Sequence, residues 1–410
     1  MASNIGQGTE KLYYEDAYMR SFEAEVVSCR KLCQKGDPEG PARYEVILNR
    51  TAFFPEEGGQ SPDRGTLQKC GGKGMHAAAV LDVQIHEGVI AHITDRPFAE
   101  GETVRGELDF AHRFSNMQQH SAEHIFSGLV HSRLGFENVG FHLSDTEVTM
   151  DYSGAFDAET AAALEKEVNR AIWKNFASGQ RFPSEEELKT IEYRSKIEID
   201  GQVRLIIYPG YDVCACCAPH VAKTGEIGLF KIISLQNYKG GVRVHMLAGE
   251  RALDFLIREH DLLTQTSRFL STSADQVPGR VETMKNEIFE AKKALAGAEA
   301  KLLEERIRAI PAEQENVCLL TSGLDMANVR NAVNRLMETH RGFCAVFDGD
   351  DENGYRYCLG CAAGESVRMM QKCLQDTFGA KGGGKPPMMQ GSVNASGEKI
   401  GRLFQEIKLV

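Results

Sequence analysis

Four side chains of the kinds that bind transition metals occur in this sequence as two pairs, each with a spacing of four residues. The pairs are His120 with His124 and Cys216 with His220. Three imidazole nitrogens and one thiolate sulfur are typical of tetrahedral zinc, whereas calcium and magnesium prefer oxygen ligands. We therefore predict that the two pairs share one Zn²⁺ ion. The alternative is two unrelated pairs, one of core histidines and one of buried thiols.

The elements around these residues must bring the two pairs together. In residues 114–130 apolar and polar residues alternate at near-helical spacing, which predicts a helix. Residues four apart lie one above the other on a helix face, so His120 and His124 can both reach one ion. Residues 111–250 as a whole mix helical and strand-like runs, and we expect an α+β domain that carries the metal.

Residues 1–110 contain short β-branched runs separated by Gly, Pro and Asp, which predicts a small β-barrel. Within this region lies the segment Gly58-Gly59-Gln60. Two glycines allow the backbone to approach a ligand closely, and the Gln60 amide carries both a donor and an acceptor. A plain hairpin loop is the alternative interpretation.

Residues 251–312 have a different pattern, in which Pro278-Gly279 interrupts a helical run and a second run follows it. The apolar residues of the second run step by three and four, as in a coiled coil. They are Val281, Met284, Ile288, Ala291, Leu295, Ala298 and Leu302. We predict a helical hairpin that either packs on a neighbouring domain or mediates a homodimer.

Residues 313–410 are predicted to form an α/β domain with a conspicuous glycine-rich segment. Its central residues are Lys381, Gly382, Gly383, Gly384 and Lys385. Clustered glycines expose backbone N–H groups and the lysines add positive charge, as a phosphate-binding loop requires. We expect an ordered loop that contacts phosphate or RNA, although a flexible linker would also explain the glycines.

Composition limits the class of protein. A chain of 410 residues with 42% hydrophobic and 26% charged residues is typical of a soluble globular protein with two or three domains. The net charge of −11 argues against a nucleic-acid partner unless a local patch provides the binding. We expect no signal peptide and no membrane-spanning segment. Eleven locally clustered cysteines favour a reducing cytoplasm.

Several segments together resemble the long-form trans-editing alanyl-tRNA deacylases, which are related to the editing half of alanyl-tRNA synthetase. The segments are Thr51, Phe54-Pro55-Glu56, Gly58-Gly59-Gln60, Asp63-Arg64-Gly65, Asn116-Met117, residues 120–124, Gly140-Phe141-His142-Leu143, Cys216 and His220-Val221. The C-terminal glycine-rich segment resembles the tRNA-contacting domain attached to that synthetase. One departure stands out: the family usually reads Cys-Gly-Gly-Thr-His, whereas Cys217, Ala218 and Pro219 lie between the outer ligands here.

The resemblance implies hydrolysis of the ester between a wrong amino acid, chiefly serine with glycine as a second candidate, and alanine tRNA. Zinc could polarise the ester carbonyl, lower the pKa of a bound water, or orient the terminal ribose. Four protein ligands would close the ion, although catalytic zinc sites normally keep one position open. The resemblance places Gln60 beside the aminoacyl group or water. We further hypothesise that Thr51 discriminates serine from alanine, because a site that hydrogen-bonds a hydroxyl strongly rejects an analogue that lacks it.

Other functions remain open on the residues alone. His-x-x-Glu-His is also the signature of inverted-zincin metallopeptidases, in which Glu123 would be the general base. That mechanism takes a distant glutamate as third ligand and leaves Cys216 and His220 without a role. Under the editing hypothesis Glu123 is a polar residue close to the metal. A non-catalytic zinc-containing tRNA-binding protein is a further alternative, and editing of threonine tRNA is another within the same family.

Overall fold

The computed structural model describes residues 8–32, 42–71, 77–195 and 202–407. The chain divides into two compact units, residues 1–264 and residues 265–410. The described ranges contain eight α-helices in total, and both units contain strands and helices, which confirms the predicted α+β class. The finer division into four domains stays a prediction.

The first part of the chain is a β-barrel. Its strands are β1 (Glu10–Lys11), β2 (Ser21–Leu32), β3 (Arg43–Leu48), β4 (Arg50–Thr51), β5 (Gly65–Lys69), β6 (Ala78–His86), β7 (Val89–Thr94) and β8 (Thr103–Leu108). Six of them close in the order β2-β3-β7-β6-β5-β8, while β1 and β4 pair separately. Residues of β8 alternate between exposed and buried, because successive side chains of a strand point to opposite faces. The predicted barrel is confirmed.

A long helix, α1 (Phe110–Leu134), follows the barrel directly and is buried from Asn116 to Val130. It begins where the Asp109 carboxylate accepts a hydrogen bond from the backbone of His112, and it ends at the left-handed residue Gly135. Polar side chains of a buried helix need partners inside the protein. The segment predicted to be helical is therefore the central element of the first unit rather than a surface helix.

The remainder of the first unit packs around α1. Its elements are β9 (Asn138–Leu143), β10 (Val148–Tyr152), α2 (Ala158–Lys174), β11 (Gly179–Arg181), α3 (Glu185–Leu188), β12 (Leu205–Tyr208), β13 (Asp212–Ala215), β14 (Phe230–Tyr238), β15 (Gly241–Ala248) and the larger part of α4 (Gly249–Phe269), which continues past residue 264. They form an antiparallel sheet β14-β15-β10-β9 and a second sheet β11-β12-β13. Side chains of α1 such as Ile125 and Phe126 share one hydrophobic core with Met150 and Val244 of the larger sheet.

The second unit contains one five-stranded sheet with helices. Its elements are α5 (Val277–Arg308), β16 (Val317–Thr321), α6 (Met326–Thr339), β17 (Phe343–Asp350), β18 (Gly354–Cys361), α7 (Ser366–Phe378), β19 (Lys381–Lys385), β20 (Met388–Val393) and α8 (Gly397–Glu406). The strand order is β16-β17-β18-β20-β19. Phe343 and Phe347 of β17 join one hydrophobic core, while Cys344 and Val346 join another. Both faces of the sheet are therefore covered.

The helical segment differs from its prediction in one detail. The predicted break at Pro278-Gly279 is wrong, because α4 ends at Phe269 and Pro278 lies in the first turn of α5. Proline fits there because the N–H it lacks would have no helical partner. Val281, Ile288, Leu295 and Leu302 of the predicted seam are 50%, 54%, 59% and 59% exposed. Dimerisation through this segment stays a prediction.

Within the described ranges, no helix combines the length and apolar character needed to cross a membrane.

The glycine-rich segment is a strand rather than the predicted loop. Lys381–Lys385 is β19, the exposed edge strand of the sheet, and it pairs with β20. Gly382 and Gly391 face each other across the two strands above the Tyr357 hydroxyl, where a Cβ atom would lie 2.7 and 2.6 Å from that oxygen. Glycine is thus required for packing over Tyr357, which the composition of the segment does not reveal.

A buried ion pair joins the barrel to α1 and gives a testable prediction of stability. Arg113 donates from Nε to both Asp63 carboxylate oxygens, at 3.0 and 2.9 Å, and both side chains are fully buried. Asp63→Asn leaves the guanidinium without a counter-charge. We expect the free energy of unfolding of the first unit to fall by about 3–5 kcal/mol in chemical denaturation.

The matched control is Glu107→Gln, which removes an exposed partner of the exposed Arg105. Exposed ion pairs contribute about 0–1 kcal/mol, so this variant should unfold almost like the wild type. Equal losses in the two variants would contradict the prediction.

Candidate metal centre

The four predicted metal ligands come from two elements of the first unit. His120 and His124 lie on the buried part of α1, and Cys216 and His220 lie in the loop that follows β13. His120, His124 and His220 are buried, whereas Cys216 is partly exposed. The loop is held by Arg204, which donates to the carbonyl oxygens of Cys216 and Ala218.

The ligand atoms of these residues converge. One atom from each of the four lies within 4.8 Å of all the others. Cys216 Sγ is 3.6 Å from His120 Nε2 and 3.3 Å from His220 Nε2. Ligand atoms of a tetrahedral zinc ion lie about 3.3–3.8 Å apart, given metal–ligand distances of roughly 2.0–2.3 Å. The cluster has the donor atoms and the spacing to hold one such ion.

Each imidazole is held through its other nitrogen by a different partner. His120 Nδ1 is 2.8 Å from Gln60 Oε1, and His124 Nδ1 is 2.9 Å from Asp212 Oδ2. His220 Nδ1 lies 3.2 Å from Ser121 Oγ and 3.4 Å from the Tyr208 hydroxyl. An amide oxygen and a carboxylate can only accept, so Nδ1 of His120 and His124 carries a proton. Their Nε2 atoms are thereby directed to the shared space.

Asp212 is itself fixed by a second buried group. Arg194 donates from Nε to Asp212 Oδ1 at 2.8 Å and from Nη2 to Oδ2 at 2.9 Å. Burial raises the pKa of Asp212, but the hydrogen bonds from His124 and Arg194 outweigh it and hold the pKa below its usual value. The carboxylate thus stays charged and orients His124.

Charges within the cluster shift its pKa values in opposite directions. Burial raises the pKa of Cys216, but its interactions with the neighbouring histidines, largest with His120, outweigh burial and hold the pKa well below that of a free thiol. Burial lowers the pKa of His220 to about 3. Burial also lowers that of His124, but hydrogen bonds to Asp212 and Cys216 overcome this and raise the pKa to about 9. Metal binding to the thiolate and imidazoles would release the proton of His124.

The barrel contributes Gln60 through a tight turn. The backbones of Gly59 and Ser61 hydrogen-bond to Leu143 of β9, at 2.7 and 2.9 Å. A Cβ atom on Gly59 would lie 2.3 Å from the Phe141 carbonyl oxygen, and Gly59 has a positive φ of 83°. Glycine therefore serves the approach of the turn to β9. Gln60 reaches His120 as a result. The close approach to a ligand that the sequence suggested stays a prediction.

The two other predicted catalytic residues lie in different surroundings. Thr51 is buried in the barrel, where its hydroxyl is 2.8 Å from His92 Nε2 and accepts from the backbone of Phe53. Glu123 Oε1 accepts from Ser127 and Asn138 at 2.7 and 2.6 Å, and Oε2 is 3.9 Å from His124 Nε2. The catalytic roles of both stay predictions. The predicted RNA-binding residues Lys381–Lys385 lie in β19 of the second unit.

Sequence reasoning missed the residues that orient the histidines, although signals were present. Asp212 and Cys214 alternate with Val213 along β13, and Cys216 continues the same alternation just after the strand. Residues two apart share one face of a strand, so Asp212 could have been placed beside Cys216. Ser121 directly follows His120 in the helix. Arg194 is distant in sequence and carries no such signal.

A second group of possible ligands shares one histidine with the cluster. His124, Asp212 and Cys214 also lie within 4.8 Å of one another. Both Asp212 oxygens are already bound by the Arg194 guanidinium. Burial raises the pKa of Cys214, which favours the thiol over a metal-binding thiolate. This group therefore supports the first cluster and does not form a second site.

Two parts of the chain match known protein families. Residues 2–112 match the family described as tRNA synthetases class II (A). Residues 203–245 match the family described as the threonyl and alanyl tRNA synthetase second additional domain. The second match includes Asp212 and two of the four predicted ligands.

Individual proteins match over most of the chain. The sequence is 28% identical to the alanine–tRNA ligase of Ignicoccus hospitalis over 92% of this chain and 40% of that protein. It is 31% identical to the alanine–tRNA ligase of Natronomonas pharaonis over 84% of this chain and 37% of that protein. The chain thus spans about two fifths of these ligases. It is 27% identical to the alanyl-tRNA editing protein AlaX-L of Pyrococcus horikoshii, over 95% of this chain and 96% of that protein.

The carboxylate behind His124 generates a prediction of metal affinity. Asp212→Asn keeps the shape of the side chain but removes the charge that orients His124. We expect zinc affinity to fall about 10–100-fold, measured by competition with a chromophoric chelator.

The matched control is Asp151→Asn, because Asp151 is also held by two hydrogen bonds from one arginine, Arg243, away from the cluster. Its zinc affinity should equal that of the wild type. An unchanged affinity in Asp212→Asn would show that the carboxylate does not act on the metal.

Proposed function

The chain is a relative of the alanyl-tRNA synthetases and of an archaeal alanyl-tRNA editing protein, and on this premise we propose that it hydrolyses mischarged alanine tRNA. The substrate would be alanine tRNA that carries serine, with glycine as a second candidate. The bond broken would be the ester between the amino acid and the terminal ribose. The observation that carries the proposal is the convergence of His120, His124, Cys216 and His220 with Gln60 beside them.

Zinc is the metal that fits this donor set. Three nitrogens and a thiolate sulfur with a depressed pKa favour it over oxygen-seeking cations. Zinc held by these side chains would polarise the ester carbonyl of the substrate, provided that one ligand is displaced or the coordination expands to five when the substrate arrives. The partly exposed Cys216 marks the side of the cluster that a substrate could approach.

Gln60 is suited to contact the reacting ester directly. Its Oε1 is held by His120, and within the described residues its buried Nε2 has no hydrogen-bond partner. A donor fixed in this way could stabilise the negative charge that develops on the carbonyl oxygen during hydrolysis.

Thr51 could contribute to serine selection only through its remaining lone pair, because the neutral His92 accepts its proton. Burial lowers the pKa of His92 to about 4, and His92 Nδ1 donates to the Val46 carbonyl.

The second unit would hold the tRNA. Lys381 and Lys385 flank three glycines on an exposed edge strand, where a phosphate backbone could approach closely. In this arrangement residues 1–110 are the barrel domain, 111–250 the editing domain, 251–312 a helical linker and 313–410 the tRNA-binding domain. A homodimer could form through the exposed seam of α5.

Serine release from serine-charged alanine tRNA is the direct test. We expect the wild-type protein to release serine but to spare correctly charged alanine, and Cys216→Ala to abolish release. Gln60→Ala should lower kcat by about 10²–10³-fold, because a donor to the developing oxyanion is lost. The measurement is single-turnover deacylation with radiolabelled amino acid.

The matched control is Gln84→Ala, which removes a barrel glutamine that contacts Glu56 and Asp82 instead of the cluster.

Glu123→Gln distinguishes the deacylase from the peptidase alternative. A peptidase would lose its general base, whereas a deacylase should retain most of its activity. No serine release by zinc-loaded protein would refute the deacylase and favour a binding protein.

RNA binding by β19 has a separate prediction. The double variant Lys381→Ala/Lys385→Ala should bind alanine tRNA more weakly, because two phosphate contacts are lost. The slope of log affinity against log salt should become shallower by about 0.7–0.9 for each lysine, measured by fluorescence anisotropy.

The control is Lys372→Ala/Lys399→Ala, which removes two exposed lysines on α7 and α8. An equal change of slope in both double variants would mean that β19 has no particular part in binding.

A further inference from the structure

A second group of polar side chains borders the metal cluster on the barrel side. The turn that delivers Gln60 also carries Glu57, and Gln60 N donates to the Glu57 carbonyl at 3.1 Å. The same turn touches the ligand loop, since a Cβ atom on Gly58 would lie 3.3 Å from Cys217 Sγ. Burial raises the pKa of the Cys217 thiol, and the nearby Glu57 carboxylate raises it further. The turn that carries Glu57 therefore lies against Cys217, which directly follows the ligand Cys216 in the chain.

This group contains buried polar atoms without partners. Within the described residues they are Glu57 Oε2, the Tyr13 hydroxyl and Gln60 Nε2. Tyr13 and Gln60 are 1% and 0% exposed, and burial raises the pKa of Tyr13 while the nearby Glu57 carboxylate raises it further. Unpartnered buried polar atoms cost free energy. Their concentration beside a candidate reaction centre indicates a place for a polar ligand group.

The negative charge of Glu57 indicates which part of the substrate this group would bind. Among the described residues no ion-pair partner is found for Glu57. The nearby Lys11 ammonium lies over the Tyr14 ring, 5.3 Å from its centroid, and Arg204 is engaged with the ligand loop. A carboxylate repels phosphate and ribose offers no cation. On an aminoacyl ester the only cation common to every amino acid is the α-ammonium group, which lies one carbon from the reacting carbonyl.

We propose that Glu57, with the Cys217 thiol and the Tyr13 hydroxyl beside it, binds the α-ammonium group of the aminoacyl ester. This proposal rests on the proposed deacylase function and deepens it. The ammonium donates to the Glu57 carboxylate, while the carbonyl carbon faces the metal cluster and Gln60. The subsite gives Cys217, which departs from the usual Cys-Gly-Gly-Thr-His pattern, a position in substrate binding. Binding of the α-ammonium group makes the enzyme specific for amino esters over esters without an amino group.

The test compares two esters on the same alanine tRNA. One carries serine, and the other carries the deaminated acid, prepared with nitrous acid, in which a hydroxyl replaces the α-ammonium. The ratio of kcat/KM for the two esters is measured in the wild type, in Glu57→Gln and in the control Glu56→Gln. Glu56 is the adjacent exposed carboxylate and contacts Gln84.

The ratio removes the intrinsic reactivity of each ester and the effects of folding. We expect Glu57→Gln to lower the ratio by about 10–100-fold through slower hydrolysis of the amino ester alone, as the loss of a charge-assisted hydrogen bond predicts. Glu56→Gln should keep the wild-type ratio.

The remaining outcomes separate the two proposals. If Glu57→Gln slows both esters equally, or slows neither, the ratio of kcat/KM stays at the wild-type value. Either result would overturn the ammonium subsite while the deacylase stands. A wild-type protein that hydrolyses neither ester would overturn the proposed function, and the subsite with it.

Discussion

Three buried imidazoles must present the same nitrogen to one point, and the first unit is built around this constraint. An imidazole can rotate and exchange tautomers unless its other nitrogen is held. Here Gln60 holds His120, Asp212 holds His124, and Ser121 with Tyr208 holds His220. The partners come from the barrel, from the β13 hairpin and from α1 itself. Elements distant in sequence thus meet at a single small cluster.

This arrangement explains why α1 is buried on every side. One face must carry the histidines and another must pack against the sheet, so no face remains for solvent. The polar residues of the helix are satisfied by protein groups instead, as when Gln119 bonds both the N–H and the carbonyl of Ala248. The buried Asp63–Arg113 pair adds a fixed link to the barrel, so that Gln60 and His120 stay in register.

Local patterns predicted some features correctly because their cause is local. The i, i+4 spacing of the histidines, the alternation in the barrel strands and the helical run of residues 114–130 each depend on near neighbours in the chain. The missed features depend on distant contacts. Arg194 reaches Asp212 through tertiary structure, and Gly59 is required by the Phe141 carbonyl. Likewise, Gly382 is required because Tyr357 lies beneath it in the sheet.

The edge strand β19 has a consequence for the behaviour of the protein at high concentration. An unpaired sheet edge can template pairing with the edge of another molecule. Lysines at both ends of β19 repel a second copy of the same strand, and the three glycines between them have low β-propensity. The strand is therefore a poor nucleus for aggregation, although its backbone is open to solvent. The lysines at the two ends thus protect this edge of the sheet from pairing with another molecule, although no element covers it.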